Sequence, residues 1–256
     1  MLYFLYFLLG FFIFFCGCCI GSFLNVVIYR LPLHISVAKG RSFCPSCKRN
    51  LRAAELVPLF SFLCLRGRCK GCREKISPRY PVVEAMMGLA ALLIFCRGGF
   101  SAWSFIAFAA AALLLTIAFI DKDTMEIPNI LVLLLLVPAI LMLFFSPETT
   151  LLSHLIGLVV ISLPMFLLTL AIPDCFGGGD IKLMAVCGLM LGWQGALLAT
   201  FIALLWGGIY GIYLLRLNKE NRKAHFAFGP CLCLGVFISL LYAKDLIGWY
   251  LHIFGL

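Results

Sequence analysis

The chain has 256 residues, of which 64% are hydrophobic and only 12% are charged. Soluble domains carry about 25% charged residues, so this composition excludes an ordinary soluble globular domain. The net charge of +9 could suggest a nucleic-acid partner, but twelve of the 20 Lys and Arg residues lie between Arg30 and Arg79. This clustering is typical of the positive-inside bias that orients membrane helices. We therefore expect a polytopic all-α membrane protein that has the lipid bilayer, and no nucleic acid, as a partner.

Apolar runs of nearly the ~20 residues needed to cross a bilayer recur along the chain. The first run contains no basic residue before its end, which predicts an N-terminus outside and a cytoplasmic segment from Arg30 to Arg79. The sixth run is short and contains glycine, so it could be tilted, re-entrant or buried. The runs predict about eight transmembrane helices, at approximately 2–29, 81–96, 101–120, 128–145, 151–172, 181–193, 196–215 and 229–251.

Residues 31–80, between the first two spans, form a basic insertion that is too small to bury much of a core. It carries two CxxC pairs, Cys44–Cys47 and Cys69–Cys72. Four thiolates at this spacing favour a closed tetrahedral zinc site that stabilises the fold. Thiol redox chemistry is the alternative, whereas lasting disulfides are unexpected in a reducing cytoplasm. Cys64, the fifth thiol of the insertion, is interpreted as a small buried hydrophobe.

Two carboxylates lie at span boundaries on the predicted cytoplasmic side. Asp121 ends the third span seven residues before Pro128, and Asp180 follows the glycine run Gly177-Gly178-Gly179. A nearby pair of carboxylates suits acid–base peptide hydrolysis, because the two groups share a proton. The glycines could admit an extended substrate backbone, and Pro128 fits a helix start.

Other interpretations of these acids stay open. An Asp at the end of a span can be a solvated boundary residue or a helix cap. Asp123 competes with Asp121 for a catalytic role, since both lie within one turn. Glu84, near the start of the second span, is a third candidate, although a structural role in the helix dipole is favoured for it.

In several ordered motifs the chain resembles the bacterial type IV prepilin peptidases, which are GxGD-type aspartic membrane proteases that also act as N-methyltransferases. The resemblance rests on the segment from Gly21 to Pro32, the paired CxxC insertion, the segment from Ser77 to Glu84, and the Asp121-to-Pro128 spacing. The last motif, from Gly177 to Lys182, reads GGGDIK.

The resemblance implies catalytic Asp121 and Asp180, supported by Gly177, Gly178, Gly179, Lys182 and Pro128. It also implies structural zinc on Cys44, Cys47, Cys69 and Cys72. The implied substrates are type IV prepilins or type II secretion pseudopilins, cut at the cytoplasmic face of the bacterial inner membrane. The new N-terminus would then be methylated from S-adenosylmethionine.

We expect residues 1–96 to serve methylation and residues 97–256 to form the peptidase domain. No glycine-rich nucleotide-binding signature appears in the insertion, so methylation rests on the resemblance alone. Asn25, Gly67 and Glu84 are guesses for the methyl-donor site. A leader peptidase without methyltransferase activity is the first alternative. A proton-coupled transporter is the second, since intramembrane carboxylates also relay protons.

Overall fold

The computed structural model describes residues 1–145, 149–172, 175–217, 227–253 and 255. Within these ranges the ordered elements are helices, and the only strand-like pairings are two isolated bridges in the insertion. The helices are α1 (Leu2–Arg30), α2 (Phe60–Cys64), α3 (Arg79–Gly98), α4 (Ala102–Thr124), α5 (Asn129–Phe145), α6 (Leu151–Val160), α7 (Ser162–Ala171), α8 (Gly178–Leu217) and α9 (Gly229–Ile253). The predicted all-α membrane fold is confirmed.

Six helical stretches of the described residues are long and apolar enough to cross a membrane, against about eight predicted spans. The difference lies in two places. The predicted fourth span is α5, which at 17 residues is shorter than any of the six stretches, one of which consists of α6 and α7 together (Leu151–Ala171). The predicted sixth and seventh spans are the two arms of α8.

The α8 stretch is interrupted at Gly192, which has φ 75° and ψ 172°. An uninterrupted helix of 40 residues would be about 60 Å long at 1.5 Å per residue, twice the thickness of the hydrocarbon core, about 30 Å. Glycine tolerates the positive φ that ends the first arm. Next to this break, the Nδ1 of the buried His154 ring donates a hydrogen bond to the Leu189 carbonyl oxygen at 2.7 Å.

The chain separates into two compact units, Met1–Phe100 and Ser101–Leu256. In the first unit, α1 packs on α3 along small residues. A Cβ on Gly17 would lie 2.8 Å from the Gly88 Cα, and a Cβ on Gly21 would lie 2.8 Å from the Glu84 Cα. Small residues let helix backbones approach closely enough to gain van der Waals contact without help from water.

In the second unit, α8 contacts α5, α6, α7 and α9, and so forms its centre. The first arm of α8 meets α6 where Gly188 faces Gly157, and a Cβ on either glycine would collide with the backbone of the other. The second arm meets α9, where Gly235 lies against the Ala199 carbonyl in the same way. This close packing fixes the helix ends that carry the polar residues described below.

The Gly157–Gly188 contact predicts that Gly188→Ala lowers the free energy of unfolding by about 1–3 kcal/mol, because the added methyl overpacks a backbone contact. Unfolding of the detergent-solubilised protein, followed by circular dichroism, measures this change. Gly208→Ala is the matched control in the same helix, since nothing lies within 4 Å of its added Cβ. Equal stability of the two variants would contradict the packing described here.

Candidate active site and metal site

Asp121 lies in the last turn of α4 and is buried, with 5% of its surface exposed. Helix α4 stops at Thr124 because Met125 takes a left-handed conformation, φ 55°, and its N–H donates to the Asp121 carbonyl at 2.7 Å. The Asp121 carboxylate itself accepts the backbone N–H of Gly229 at 2.9 Å. Asp123 is exposed, so burial and hydrogen bonding single out Asp121 of the two.

Asp180 is the third residue of α8 and is half-buried. Its N–H donates to the Gly177 carbonyl at 3.0 Å, while its Oδ2 accepts the Gly177 N–H at 3.3 Å. A carboxylate in the first turn of a helix is favoured by the exposed N–H groups and by the helix dipole. The chain therefore turns at the glycine run, and the Asp180 side chain caps this turn through the Gly177 N–H.

The segment after α4 holds the glycine run in place. A Cβ on Gly179 would lie 2.9 Å from the Ile127 Cβ, so only glycine fits there without a shift. Lys182 donates to the Asn129 side chain at 3.1 Å, and Pro128 directly precedes α5. Gly178, by contrast, has open space where its Cβ would be. The predicted supporting residues thus cluster at one junction between the starts of α5 and α8.

The start of α9 completes this cluster, which the sequence analysis missed. A Cβ on Gly229 would lie 2.5 Å from the Asp121 Oδ2, so a larger residue here would push the carboxylate away. Cys233, one turn further along, is buried and within electrostatic range of both carboxylates, and Asp121 also acts on Asp180. The feature of the sequence that could have pointed to Gly229 is the Phe228-Gly229-Pro230 triplet, where α9 begins.

Both carboxylates therefore belong to one polar cluster in the second unit, built from the ends of α4, α8 and α9. Asp121 is buried and held by a backbone N–H, and Asp180 is partly open to its surroundings. Two carboxyl groups in mutual electrostatic range can divide acid and base roles. The arrangement suits hydrolysis of a polar bond that reaches the glycine run.

A second cluster lies in the insertion of the first unit, where the four predicted cysteines converge. The sulfur atoms of Cys44, Cys47, Cys69 and Cys72 all lie within 4.8 Å of one another. The Cys44 and Cys72 sulfurs are 3.9 Å apart, close to the roughly 3.8 Å edge of a tetrahedron with Zn–S bonds of about 2.3 Å. The donor set and its spacing fit a tetrahedral divalent metal.

The two CxxC turns have the same local structure. The Cys44 N–H donates to the Arg49 carbonyl and the Cys69 N–H to the Glu74 carbonyl, each at 2.9 Å. Lys48 and Arg73, one residue past each second cysteine, both adopt positive φ. The N–H groups of Cys72 and Gly71 lower the pKa of the Cys69 thiol to about 6. The second turn thereby favours the thiolate form of Cys69, and the thiolate is the form that binds metal.

Arg49 is the cation beside this cluster. It pairs with Glu55 at 2.7 Å, and its Nε is the one buried side-chain polar atom, among the described residues, without an N or O partner. Hydrogen bonds with Glu55 and then with the Cys69 thiol raise the pKa of Arg49 above its usual range. The guanidinium is thus placed to offset the negative charge of four thiolates.

The three residues suggested for the methyl-donor site do not all meet. Asn25 and Glu84 both line a cavity of ≈ 340 Å³ in the first unit. Asn25 donates to the Tyr80 carbonyl at 3.1 Å, and Glu84 accepts the Leu59 N–H at 2.8 Å. Gly67 does not line the cavity. Its backbone has φ 66° and lies next to the Phe62 ring, which does line the cavity.

Two family models match the chain: the bacterial Peptidase A24 N-terminal domain over residues 15–98 and the type IV leader peptidase family over residues 106–212. The chain belongs to the type IV leader peptidase family, so the resemblance described above is confirmed. No solved structure matches the chain.

Similar curated proteins carry the name prepilin leader peptidase/N-methyltransferase. That of Legionella pneumophila is 32% identical, over 97% of this chain and 95% of the relative. That of Aeromonas hydrophila is 35% identical, over 91% of this chain and 90% of the relative. That of Bacillus subtilis is 32% identical, over 92% of this chain and 95% of the relative.

The cysteine geometry predicts one tightly bound divalent metal per chain. Cys44→Ser should lose it, because an alcohol is a far weaker ligand than a thiolate. Metal analysis of the purified protein, together with the thiolate charge-transfer absorption of a Co²⁺-loaded sample, measures both stoichiometry and ligand type.

Cys64 is exposed, so its interpretation as a small buried hydrophobe was wrong. Cys64→Ser is the control for this experiment, since Cys64 belongs to the same insertion and lies outside the cluster. It should keep the full metal content. Retention of metal by Cys44→Ser, or loss by Cys64→Ser, would contradict the four-cysteine site.

Proposed function

We propose that this protein removes the leader from type IV prepilins or type II secretion pseudopilins and then methylates the new N-terminal residue. Family membership and the names of its relatives support both activities. The single observation that carries the proposal is that buried Asp121, held by the Gly229 N–H, is close enough to Asp180 at the start of α8 for the two carboxyl groups to interact electrostatically.

In the peptidase reaction Asp121 and Asp180 act as a pair that shares one proton. The ionised carboxyl takes a proton from water as the water oxygen bonds the scissile carbonyl carbon, and the protonated carboxyl donates to the carbonyl oxygen. The C–N bond then breaks and the amine leaves with a proton. Base and acid are roles of the pair rather than of either residue.

The surrounding residues orient this pair and its substrate. The Gly229 N–H fixes one oxygen of Asp121, and the capping interaction with Gly177 fixes Asp180. Gly178 leaves open space beside them, which suits an extended backbone whose scissile carbonyl is not hidden in a helix. Lys182 and Pro128 act indirectly, by holding the start of α8 against the start of α5.

Methylation is assigned to residues 1–96 and peptide cleavage to residues 97–256. The match of a separate N-terminal family model to residues 15–98 supports this division. S-adenosylmethionine supplies the methyl group. The amine nitrogen bonds the methyl carbon, the S–CH₃ bond breaks with its electron pair left on sulfur, and the amine proton passes to water.

Structural Zn²⁺ is the metal that the four cysteines would hold, because four thiolates leave no open position for substrate. The basic residues between Arg30 and Arg79 support a cytoplasmic insertion. This orientation puts the N-terminus outside and both Asp residues at the cytoplasmic face of a bacterial inner membrane, where a prepilin leader would be exposed.

The proposed dyad predicts that Asp121→Asn and Asp180→Asn each slow leader cleavage at least roughly a hundredfold, as expected for loss of general acid–base catalysis. Both should still methylate a peptide that has already been cut. Product masses from a prepilin N-terminal peptide with S-adenosylmethionine separate the two activities.

Asp123→Asn is the matched control, because Asp123 lies within one turn of Asp121 but is exposed. It should keep most of the cleavage rate. Normal cleavage by Asp180→Asn would refute the dyad. No cleavage of a competent substrate by any sample, the native protein included, would favour the transporter alternative, and cleavage without methylation by the native protein would leave a leader peptidase alone.

The contact at the start of α9 predicts that Gly229→Ala lowers kcat for cleavage on the order of a hundredfold, because its methyl displaces the Asp121 carboxylate. Substrate KM should change little. Gly248→Ala, in the same helix with nothing within 4 Å of the added Cβ, serves as the control and should cleave normally. Normal cleavage by Gly229→Ala would show that Asp121 does not depend on this contact.

A further inference from the structure

The cavity of the first unit is bounded by the last turns of α1, the start of α3 and the cysteine-bearing insertion. Its volume of ≈ 340 Å³ falls within the range of about 300–1,000 Å³ that is usual for small-molecule sites. Four aromatic rings contribute to its walls: Tyr29, Phe43, Phe62 and Tyr80. The cavity thus offers flat apolar surfaces of the kind that bind a purine ring or a soft cation.

Glu84 is the buried charge of this cavity, with 8% of its surface exposed. Its carboxylate accepts the Leu59 N–H at 2.8 Å and a hydrogen bond from the Ser22 hydroxyl. The ion pair of the insertion joins Arg49 to Glu55, and the partners of Glu84 among the described residues are the Leu59 N–H and the Ser22 hydroxyl rather than a basic side chain. A buried carboxylate without a cationic partner is costly, and a cationic ligand would compensate it.

The basic residues of the lining do not meet this need. The buried guanidinium of Arg30 donates to the carbonyls of Ser36, Lys39 and Arg41, which ties it to the backbone of the insertion. Lys70 and Lys75 are exposed to solvent. Glu55 is already paired and Glu74 is exposed. Glu84 is therefore the acid of the cavity that is left for a ligand.

We propose that this cavity is the methyl-donor site and that the Glu84 carboxylate holds the sulfonium cation of S-adenosylmethionine against the aromatic wall. The inference rests on the methyltransferase half of the proposed function. It assigns recognition of the charge to a carboxylate and to ring faces, and it needs no glycine-rich nucleotide-binding loop, which the insertion lacks.

The methyl donor carries a charge at sulfur that its product lacks. Methyl transfer turns the sulfonium into the neutral thioether of S-adenosylhomocysteine, while the adenosine and amino-acid parts stay the same. A carboxylate beside the sulfur therefore favours the donor over the product. A carboxylate that bound any other part of the molecule would favour neither.

The experiment measures the affinity of the full-length protein in lipid nanodiscs for S-adenosylmethionine and for S-adenosylhomocysteine. Glu84→Gln keeps an oxygen for the Leu59 N–H and removes the charge. It should weaken donor binding at least roughly thirtyfold, the lower end of the effect of removing one partner of a buried charge pair, and product binding far less. Equal weakening of both, or of neither, would overturn the assignment.

Glu74→Gln is the matched control, since it removes the same charge from an exposed lining residue whose field water screens. It should leave the preference for the donor unchanged. A second variant, Ser61→Leu, adds bulk to the lining and should weaken both ligands together. Retained leader cleavage and retained metal content show that each variant is folded.

The outcomes separate this inference from the proposed function. If the native protein methylates a cut peptide but neither Glu84→Gln nor Ser61→Leu changes binding, the donor binds elsewhere and the proposed function stands. If the native protein cleaves leaders yet neither binds nor uses the donor, the methyltransferase assignment fails together with this site.

Discussion

The contact between the Gly229 N–H and the Asp121 carboxylate is the constraint on which the geometry of the second unit depends. It requires the start of α9 to approach the end of α4 so closely that a single methyl would collide with the carboxylate. The left-handed turn at Met125 ends α4 at the right point. The same principle recurs at Gly179, where bare backbone lets the start of α8 lie against Ile127. Close backbone approach brings these helix ends together, and backbone N–H groups then hold the two carboxylates.

The first unit also depends on close helix packing, and in addition it must order an insertion that has little core of its own. Its insertion is too short for a large core, so four cysteines on two matching turns supply the cross-link. Small residues on α1 and α3 bring those helices together below it. Glu84 of α3 lines the cavity, whose remaining lining comes from α1, the start of α3 and the insertion. A metal that orders the insertion would thereby also shape the proposed donor site, which gives the cysteines a role in methylation without any part in its chemistry.

The positions of the acidic groups support separate roles for them, with Asp121 and Asp180 in cleavage and Glu84 in donor binding. The composition alone could not suggest this. The chain has only 11 Asp and Glu residues. Five of them lie at the polar cluster or line the cavity described above: Asp121, Asp180, Glu55, Glu74 and Glu84. An acidic group at the edge of a membrane span is costly unless it is paired or used. The cleavage reaction releases an amine, and the proposed methylation consumes it, so the two activities are linked by one chemical group.

The sequence by itself determined the all-helical membrane fold, the family and the four-cysteine set, because apolar run length and cysteine spacing are local properties. It also singled out Asp121 and Asp180, whose catalytic role stays a prediction, as do the domain limits at 96 and 97. Only the tertiary structure decided that Asp123 is exposed, that α8 is one element broken at Gly192, and that Gly229 touches Asp121 across 108 positions of chain. It also separated Asn25 and Glu84, which share a cavity, from Gly67. Such facts depend on which helix faces meet, and that is settled by packing between residues far apart in the chain.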